Sequence, residues 1–493
     1  MSAPAIAARQ LWLGVYLPHF PLETLSRGGA LPGPVVVVDD RRSRAHVVTA
    51  SEAARIEGVQ AGMALSSALT LIPSLQVLKR DEIGEGAALD GLAAWAGQFT
   101  SLVSLMVGQG LLLEVKGSVR LFRGIDSLLE QVRNGLQALG YTARMAIAPS
   151  PLGAWWLAQL NTQPRIVMIL DRAALAKQLD PVPLELMALP KTAAAMAQGM
   201  GLKCFGDCCR LPRQGLARRL GTELVRLLDR ALDRYPDPRI PYSPPPVFER
   251  CLPLPALVWD MEGLVFAARR LLLELVGFLQ ARAAGVLCLD ITLMHGNAKY
   301  TGIALELSVA TRDLHHLLDL LRMRLERVRL PGAVDAVRCT ARHIVPLDAP
   351  PPGAALFRAI ETPKERDYLL VERLRVRLGA GAVQGLCTVA DHRPERAWRY
   401  AALEKPKPSF VSPLPRPLWL LEQPRMLKQM NERLQIGGAL ELTAGPERIE
   451  SGWWDGEGVA RDYFVARNPD GTRLWIFRER DHPQRWFLHG LFA

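Results

Sequence analysis

The stretch TASEAARIEGVQAGMALSSALTLIPSL, from Thr49 to Leu75, decides how the fold is read. It begins at the end of an apolar strand, AHVVTA (Ala45 to Ala50), and passes at once into SEAARIEG. A serine hydroxyl at such a junction accepts from the first free helical N–H groups, so Ser51 is expected to cap a helix. Upstream, LWLGVYL (Leu11 to Leu17) and PVVVVDD (Pro34 to Asp40) are apolar runs of strand length. Downstream, SLVSLMVGQGLLLEVKG (Ser101 to Gly117) reads as a hairpin turning at Gly108 to Gly110. A helix to about Leu139 and a strand over Arg144 to Ala148 follow, so this region is expected to be one sheet covered by helices.

Beyond it, Leu184 to Arg234 consists of short helices broken by Gly and Pro, centred on GLKCFGDCCRLPRQGLARRLG (Gly201 to Gly221). Such a segment presents helix N-termini and backbone N–H groups to phosphates, or it is an ordinary small helical subdomain. PDPRIPYSPPPVFER (Pro236 to Arg250) is too rich in proline for helix or central strand and reads as a stiff linker at a domain boundary. After it, strands near Phe248–Leu254, Val286–Leu293, Gly302–Val309 and Ala333–His343 and helices over Gly263–Arg282 and Thr311–Arg327 give the order β-α-β-β-α-β. Prolines return at Pro346 and Pro350 to Pro352. From Pro413 the tail is rich in Trp and Arg, and RDYFVARNPDGTRLWIFRER reads as two strands joined at Asn468 to Gly471 in a small β-rich module.

With 493 residues the chain has room for three or four domains, and no apolar run approaches the roughly 20 residues that span a bilayer. The N-terminal stretch lacks the pattern of a secretory signal, so a cytoplasmic location is expected. A net charge of +11 favours a polyanionic partner, because cations near phosphates release condensed counterions. The seven cysteines form no CxxC pair, and CxxxCC at Cys204, Cys208 and Cys209 is poor zinc geometry, so free thiols and no metal are expected. There is no P-loop or dinucleotide fingerprint, and no cofactor is expected. His315-His316 is read as a solvated or core pair, and Asp39-Asp40, running into Arg41-Arg42, as a charged turn.

At Ala54-Arg55, Gly58-Val59 and Gly62-Met63 the opening stretch resembles the fingers motif of Y-family translesion DNA polymerases. The resemblance covers about residues 10 to 345 and implies an α/β and α+β multidomain fold. Its parts are a palm and fingers over 10–160 with the fingers inserted at about 50–80, a helical thumb over 161–240 and a β-α-β-β-α-β little finger over 241–345. A linker with a helix over 346–412 and a C-terminal module over 413–493 follow. In such polymerases carboxylates hold two metal ions that drive phosphoryl transfer. Here the first carboxylate position falls in GVYLPHF (Gly14 to Phe20), with Gly14 and Tyr16 in place of acids, and Gln109 and Gly110 stand where the Asp-Glu pair is expected. Glu52 replaces an aromatic residue beside the incoming triphosphate, while Arg55 is retained for phosphate contact or for orienting its helix. The expectation is a polymerase fold without the catalytic metal site.

DHRPERAW (Asp391 to Trp398), RPLWLL (Arg416 to Leu421), ERIESGWWDG (Glu447 to Gly456), RDYFVAR (Arg461 to Arg467), LWIFRER (Leu474 to Arg480) and WFLHGLFA (Trp486 to Ala493) are similar to blocks of the ImuB-type, non-catalytic branch. That resemblance implies an adaptor in DNA-damage mutagenesis, linking DNA, the sliding clamp, an ImuA-like RecA-related protein and an error-prone C-family polymerase. The expected DNA contacts are Arg55, Lys203, Arg218 and Arg219. For the clamp, GAALF (Gly353 to Phe357) retains Leu356 and Phe357 of a Gln-Leu-x-Leu-Phe-like peptide with Gly353 in place of the glutamine, the alternative being that Phe357 packs on the next helix. Trp453, Trp454, Arg461, Trp475, Arg478 and Trp486 are the expected partner contacts, with nucleic-acid stacking or core duty as alternatives. Two rival readings of the whole chain are an active polymerase with displaced carboxylates and a protein scaffold that does not use DNA.

Overall fold

WLGVY is the middle strand of the first sheet, and four of its five residues are buried. In this computed structural model the described residues are 10–26, 31, 33–40, 45–162, 165–296, 299–347, 363–401, 414–430 and 433–492. They divide into two units, residues 1–377 and 378–493.

The first unit opens with β1 (Trp12–Tyr16), α1 (Phe20–Ser26), β2 (Val35–Asp39), β3 (His46–Ala50), α2 (Glu52–Ile56), α3 (Leu65–Leu71) and β4 (Gln76–Lys79). It continues through α4 (Glu82–Ala96), β5 (Val103–Met106), β6 (Gly110–Glu114), α5 (Ile125–Ala138), β7 (Arg144–Ala148), α6 (Pro151–Leu160) and β8 (Val167–Met168). Ser51 caps α2, accepting from the Ala54 N–H. The single expected sheet is in fact two: one ordered β5-β6-β1-β7-β8, the other β3-β2-β4. The smaller sheet has its own core, in which Val36, Val38 and Val47 pack on Ala54, Val59 and Ala68. Alternation within a strand specifies its faces but not its neighbours, so the pattern alone does not separate the two sheets. Consequently the inserted unit reaches back to Val35 rather than starting near residue 50, and β8, paired with β7, carries the larger sheet past residue 160. The helix after the hairpin begins only at Ile125, because Gly124, at φ +130°, breaks the chain there.

Helices α7 (Arg172–Leu179), α8 (Lys191–Gly199), α9 (Phe205–Arg210), α10 (Arg213–Leu220) and α11 (Thr222–Ala231) come next. Phe205, Leu216, Leu220 and Leu224 from these helices join Trp155 and Trp156 of α6 in one core.

Then β9 (Phe248–Val258), α12 (Met261–Ala281), β10 (Ala284–His295), β11 (Lys299–Thr311), α13 (Leu314–Leu325) and β12 (Val334–Pro346) realise the order β-α-β-β-α-β, followed by α14 (Pro363–Leu378). The sheet order is β11-β10-β12-β9. Glycines let α12 approach α4 closely: a Cβ on Gly277 would stand 2.5 Å from the Trp95 ring. Arg270, buried on α12, donates to the Leu139 carbonyl. The proline-rich linker is stitched to the edge strand β5, where the Tyr242 N–H donates to the Val103 carbonyl (2.7 Å) and the Ser104 hydroxyl to the Ile240 carbonyl (2.8 Å).

In the second unit β13 (Gly385–Thr388) pairs with β14 (Trp398–Ala401). The remaining strands are β15 (Trp419–Met426), β16 (Lys428–Met430), β17 (Arg433–Gln435), β18 (Glu441–Ser451), β19 (Val459–Arg467), β20 (Arg473–Glu479) and β21 (Trp486–Leu491). Five of them form the antiparallel sheet β15-β21-β20-β19-β18. β19 and β20 are joined at Asn468–Gly471, with Gly471 at φ +85° and the Asn468 side chain accepting from the Thr472 N–H.

Candidate functional site

Strands β1 and β6 pair antiparallel, which sets Tyr16 opposite Gly110 and Trp12 opposite Glu114. Behind Gly14 runs α6, so close that a Cβ at Gly14 would lie 2.5 Å from the Ala154 carbonyl oxygen. Gly110 has φ +153°, and a Cβ there would lie 2.0 Å from the Val15 carbonyl oxygen. Both are therefore positions where only glycine fits without a backbone shift. Gln109 closes the hairpin through its backbone, donating to Met106 and accepting from Leu17. The Tyr16 ring meets Trp155 edge-on at 5.7 Å. Glu114, the nearest acid on β6, spends its carboxylate on the backbone N–H groups of Leu11 (3.1 Å) and Lys116 (3.3 Å). Among the described residues no group of three His, Cys, Asp or Glu side chains is placed to hold a metal ion.

What gathers beside this place is positive. Arg144 on β7 lies opposite Tyr16 in the sheet. Burial, together with the charges of Arg55 and Arg144, holds the His19 imidazole below its ordinary pKa, with Glu52 acting the other way. Arg55 forms an ion pair with Glu52, one turn back on α2. This arrangement can attract phosphate and has no carboxylate cluster to position a metal. Arg144 and His19 escaped the sequence reading, since only strand pairing brings a residue at 144 beside one at 16.

On the helical segment, Arg210, Arg213 and Arg226 are neutralised by Asp180 and Asp207, Asp229 and Glu223 respectively. Lys203, Arg218 and Arg219 are exposed and have no ion-pair partner among the described residues. They stand near two open glycine turns, Gly201 at φ +79° and Gly221 at φ +91°. The cysteines here are free thiols, and burial pushes Cys208 up to about 11.

The six expected partner contacts of the second unit separate by burial. Trp453 is 79% exposed and Trp454 61%, edge-to-face at 5.4 Å. Their loop is held by the buried Arg393, which bonds both carboxylate oxygens of Asp455, the Asp391 carboxylate and the Glu457 carbonyl. Trp475, by contrast, is 2% exposed and stacked on Tyr463 at 4.1 Å, so it is a core residue and no part of a docking surface. A central strand buried on both faces places even its alternate residues inside. Arg461 is likewise occupied internally, by Glu395 and the Tyr463 hydroxyl, and Arg478 by Asp462. Trp486 is half-buried against Phe464. The Leu356-Phe357 pair lies outside the described residues.

Residues 23–159 match the impB/mucB/samB family. Over that span of the first unit the chain is similar to that family. More particularly, the chain is homologous to Protein ImuB of Caulobacter vibrioides, at 28% identity over 467 residues, covering 88% of this chain and 100% of that relative. It is also similar to DNA polymerase IV of Shigella flexneri, 25% identical over 190 residues, which is 38% of this chain and 54% of the relative. Among solved structures, a Y-family DNA polymerase chimera of Dbh and Dpo4 aligns at 17% identity with a TM-score of 0.40. DinB from Sulfolobus solfataricus aligns at 16% and 0.39, each covering 68% of this chain and 100% of its own. No helix among the described residues is long and apolar enough to cross a membrane.

Proposed function

We propose that this chain is a non-catalytic adaptor for error-prone translesion synthesis, holding DNA with its polymerase-like domains and recruiting proteins through its C-terminal third. What supports the reading is the close packing of Gly14 and Gly110, which the resemblance aligns with places where polymerases need metal-holding carboxylates. Each is packed against a backbone carbonyl that a larger side chain would displace. DNA is held, in this reading, by Lys203, Arg218 and Arg219, which have no ion-pair partner among the described residues, with Arg55 in the fingers. The exposed Trp453-Trp454 loop serves a protein partner, and Leu356 with Phe357 serves the sliding clamp. The ImuA-like RecA-related protein and the error-prone C-family polymerase complete the assembly, in the cytoplasm and under DNA-damage control. Homology to ImuB supports this assignment.

Primer extension with Mg²⁺ or Mn²⁺ tests the chemistry, and no incorporation is expected. Template-dependent synthesis that survives exhaustive purification overturns it. Binding to primed DNA titrated with salt tests the other half, because phosphate contact gives a steep log–log slope. A flat slope would favour a scaffold that does not use DNA.

A further inference from the structure

The five-stranded sheet treats its two edges differently. At β5 the linker covers the edge, through the bonds at Val103 and Ser104 described above. At the other end β8 pairs with β7 in parallel, Ala146 opposite Val167 and Ile147 opposite Met168. The Ile169 N–H donates to the Ile147 carbonyl (2.9 Å), so Val167 and Ile169 turn their backbone groups inward. Alternation then points the N–H and C=O groups of Ile166, Met168 and Leu170 away from the sheet. Among the described residues, no backbone hydrogen bond reaches these outward groups. They open instead on a cavity of about 1090 Å³ walled by α5 and the end of α6.

Leu129 and Leu157 give the cavity apolar walls beside the edge. Helix α5 returns between β6 and β7, which run parallel to each other, so it lies antiparallel to β8. Asp126 and Glu130, early on α5, therefore stand toward the end of β8, and Arg133 toward its start, where Arg165 also lines the cavity. The groove is thus acidic at one end and basic at the other. An open edge of this kind is a template for an added strand, and proteins that do not use such edges cover or charge them.

We propose that β8 is a docking site for an extended peptide segment of a partner protein, added antiparallel as the next strand of the sheet. Main-chain bonds to Ile166, Met168 and Leu170 hold it, and alternate apolar side chains fill the groove. A basic residue at the segment's N-terminal end meets Asp126 and Glu130, and an acidic residue at its C-terminal end meets Arg165.

The test uses the full chain and a fluorescein-labelled peptide, Lys-Val-Thr-Val-Thr-Val-Glu, followed by anisotropy and amide hydrogen exchange. Saturating peptide is expected to slow exchange at Ile166, Met168 and Leu170 by about tenfold or more, leaving β5 unchanged. Met168→Ala keeps the amide and binding, whereas Met168→Pro removes the outward donor and loses it. In case that proline unfolds the strand, a peptide N-methylated at the residues facing β8 gives an independent reading and must fail to bind the parent chain. Unchanged exchange at β8 with bound peptide, or equal binding of the N-methylated form, overturns the proposal. Protection that instead rises with protein concentration alone assigns the edge to a second copy and also overturns it.

Discussion

Gly110 shows how a single residue position can be closed to chemistry. Its φ of +153° and the Val15 carbonyl where a Cβ would sit mean that an acid there has to move β1 or β6. Gly110→Asp is therefore expected to lower stability by about 1–3 kcal/mol and to restore no synthesis. Thermal melting and primer extension check this together; a stable variant that incorporates nucleotides would show that only the side chain was missing. His489 offers a second residue-level outcome. Its ring lies in the core of the second unit, with Nδ1 2.7 Å from the Tyr463 hydroxyl, and burial brings its pKa down from 6.5 to about 4. Because the unfolded chain takes up the proton first, the stability from the neutral ring is complete above pH 6.5 and is lost as pH falls toward 4. The loss amounts to about 3 kcal/mol. Melting of the second unit followed from pH 7 to 4 is expected to show this drop, and His489→Gln to flatten it; an equal slope in the variant places the titration elsewhere.

At the level of elements, the helices after β8 carry charge in two states. Arg210, Arg213 and Arg226 are tied to acids, whereas Arg218 and Arg219, near the end of α10, face solvent beside the Gly221 turn. If the second pair contacts DNA phosphates, Arg218→Ala with Arg219→Ala lowers the slope of log affinity against log salt by about 2. Arg226→Ala, which removes a cation already paired with Glu223, serves as the control and is expected to change the slope little. Equal effects from the two sets would mean that binding follows overall charge rather than this surface.

Across the whole molecule, buried tryptophans such as Trp95, Trp156 and Trp475 hold the cores together while Trp453 and Trp454 face outward. Trp453→Ala with Trp454→Ala is expected to weaken partner association by about 2 kcal/mol or more with melting unchanged, as for residues at an interface centre. Trp475→Ala removes the ring stacked on Tyr463 and is expected to cost about 3–5 kcal/mol of stability. Pull-down with the ImuA-like protein and the C-family polymerase, beside melting curves, separates the two. Alanine at Leu356 and Phe357 is expected to lower clamp association alone. Retention of every partner by the Trp453–Trp454 variant would leave that loop free for stacking on nucleic acid.

Local chemistry was legible from the sequence wherever cause and effect lie within a few residues. Ser51 caps its helix, Asn468 to Gly471 turns its hairpin, and β-α-β-β-α-β follows the linker, because each depends on neighbouring side chains and backbone. Long-range pairing was not legible: β2 and β3 leave the first sheet for one of their own, and Arg144 comes to lie beside Tyr16. Nor could composition tell Trp453 from Trp475, which differ only in what packs over them. That Gly14 is pinned by Ala154 was equally hidden, because the contact joins a strand to a helix 140 residues away. Residue chemistry thus determined the caps and turns, whose causes are local, and tertiary packing alone decided which side chains can be reached.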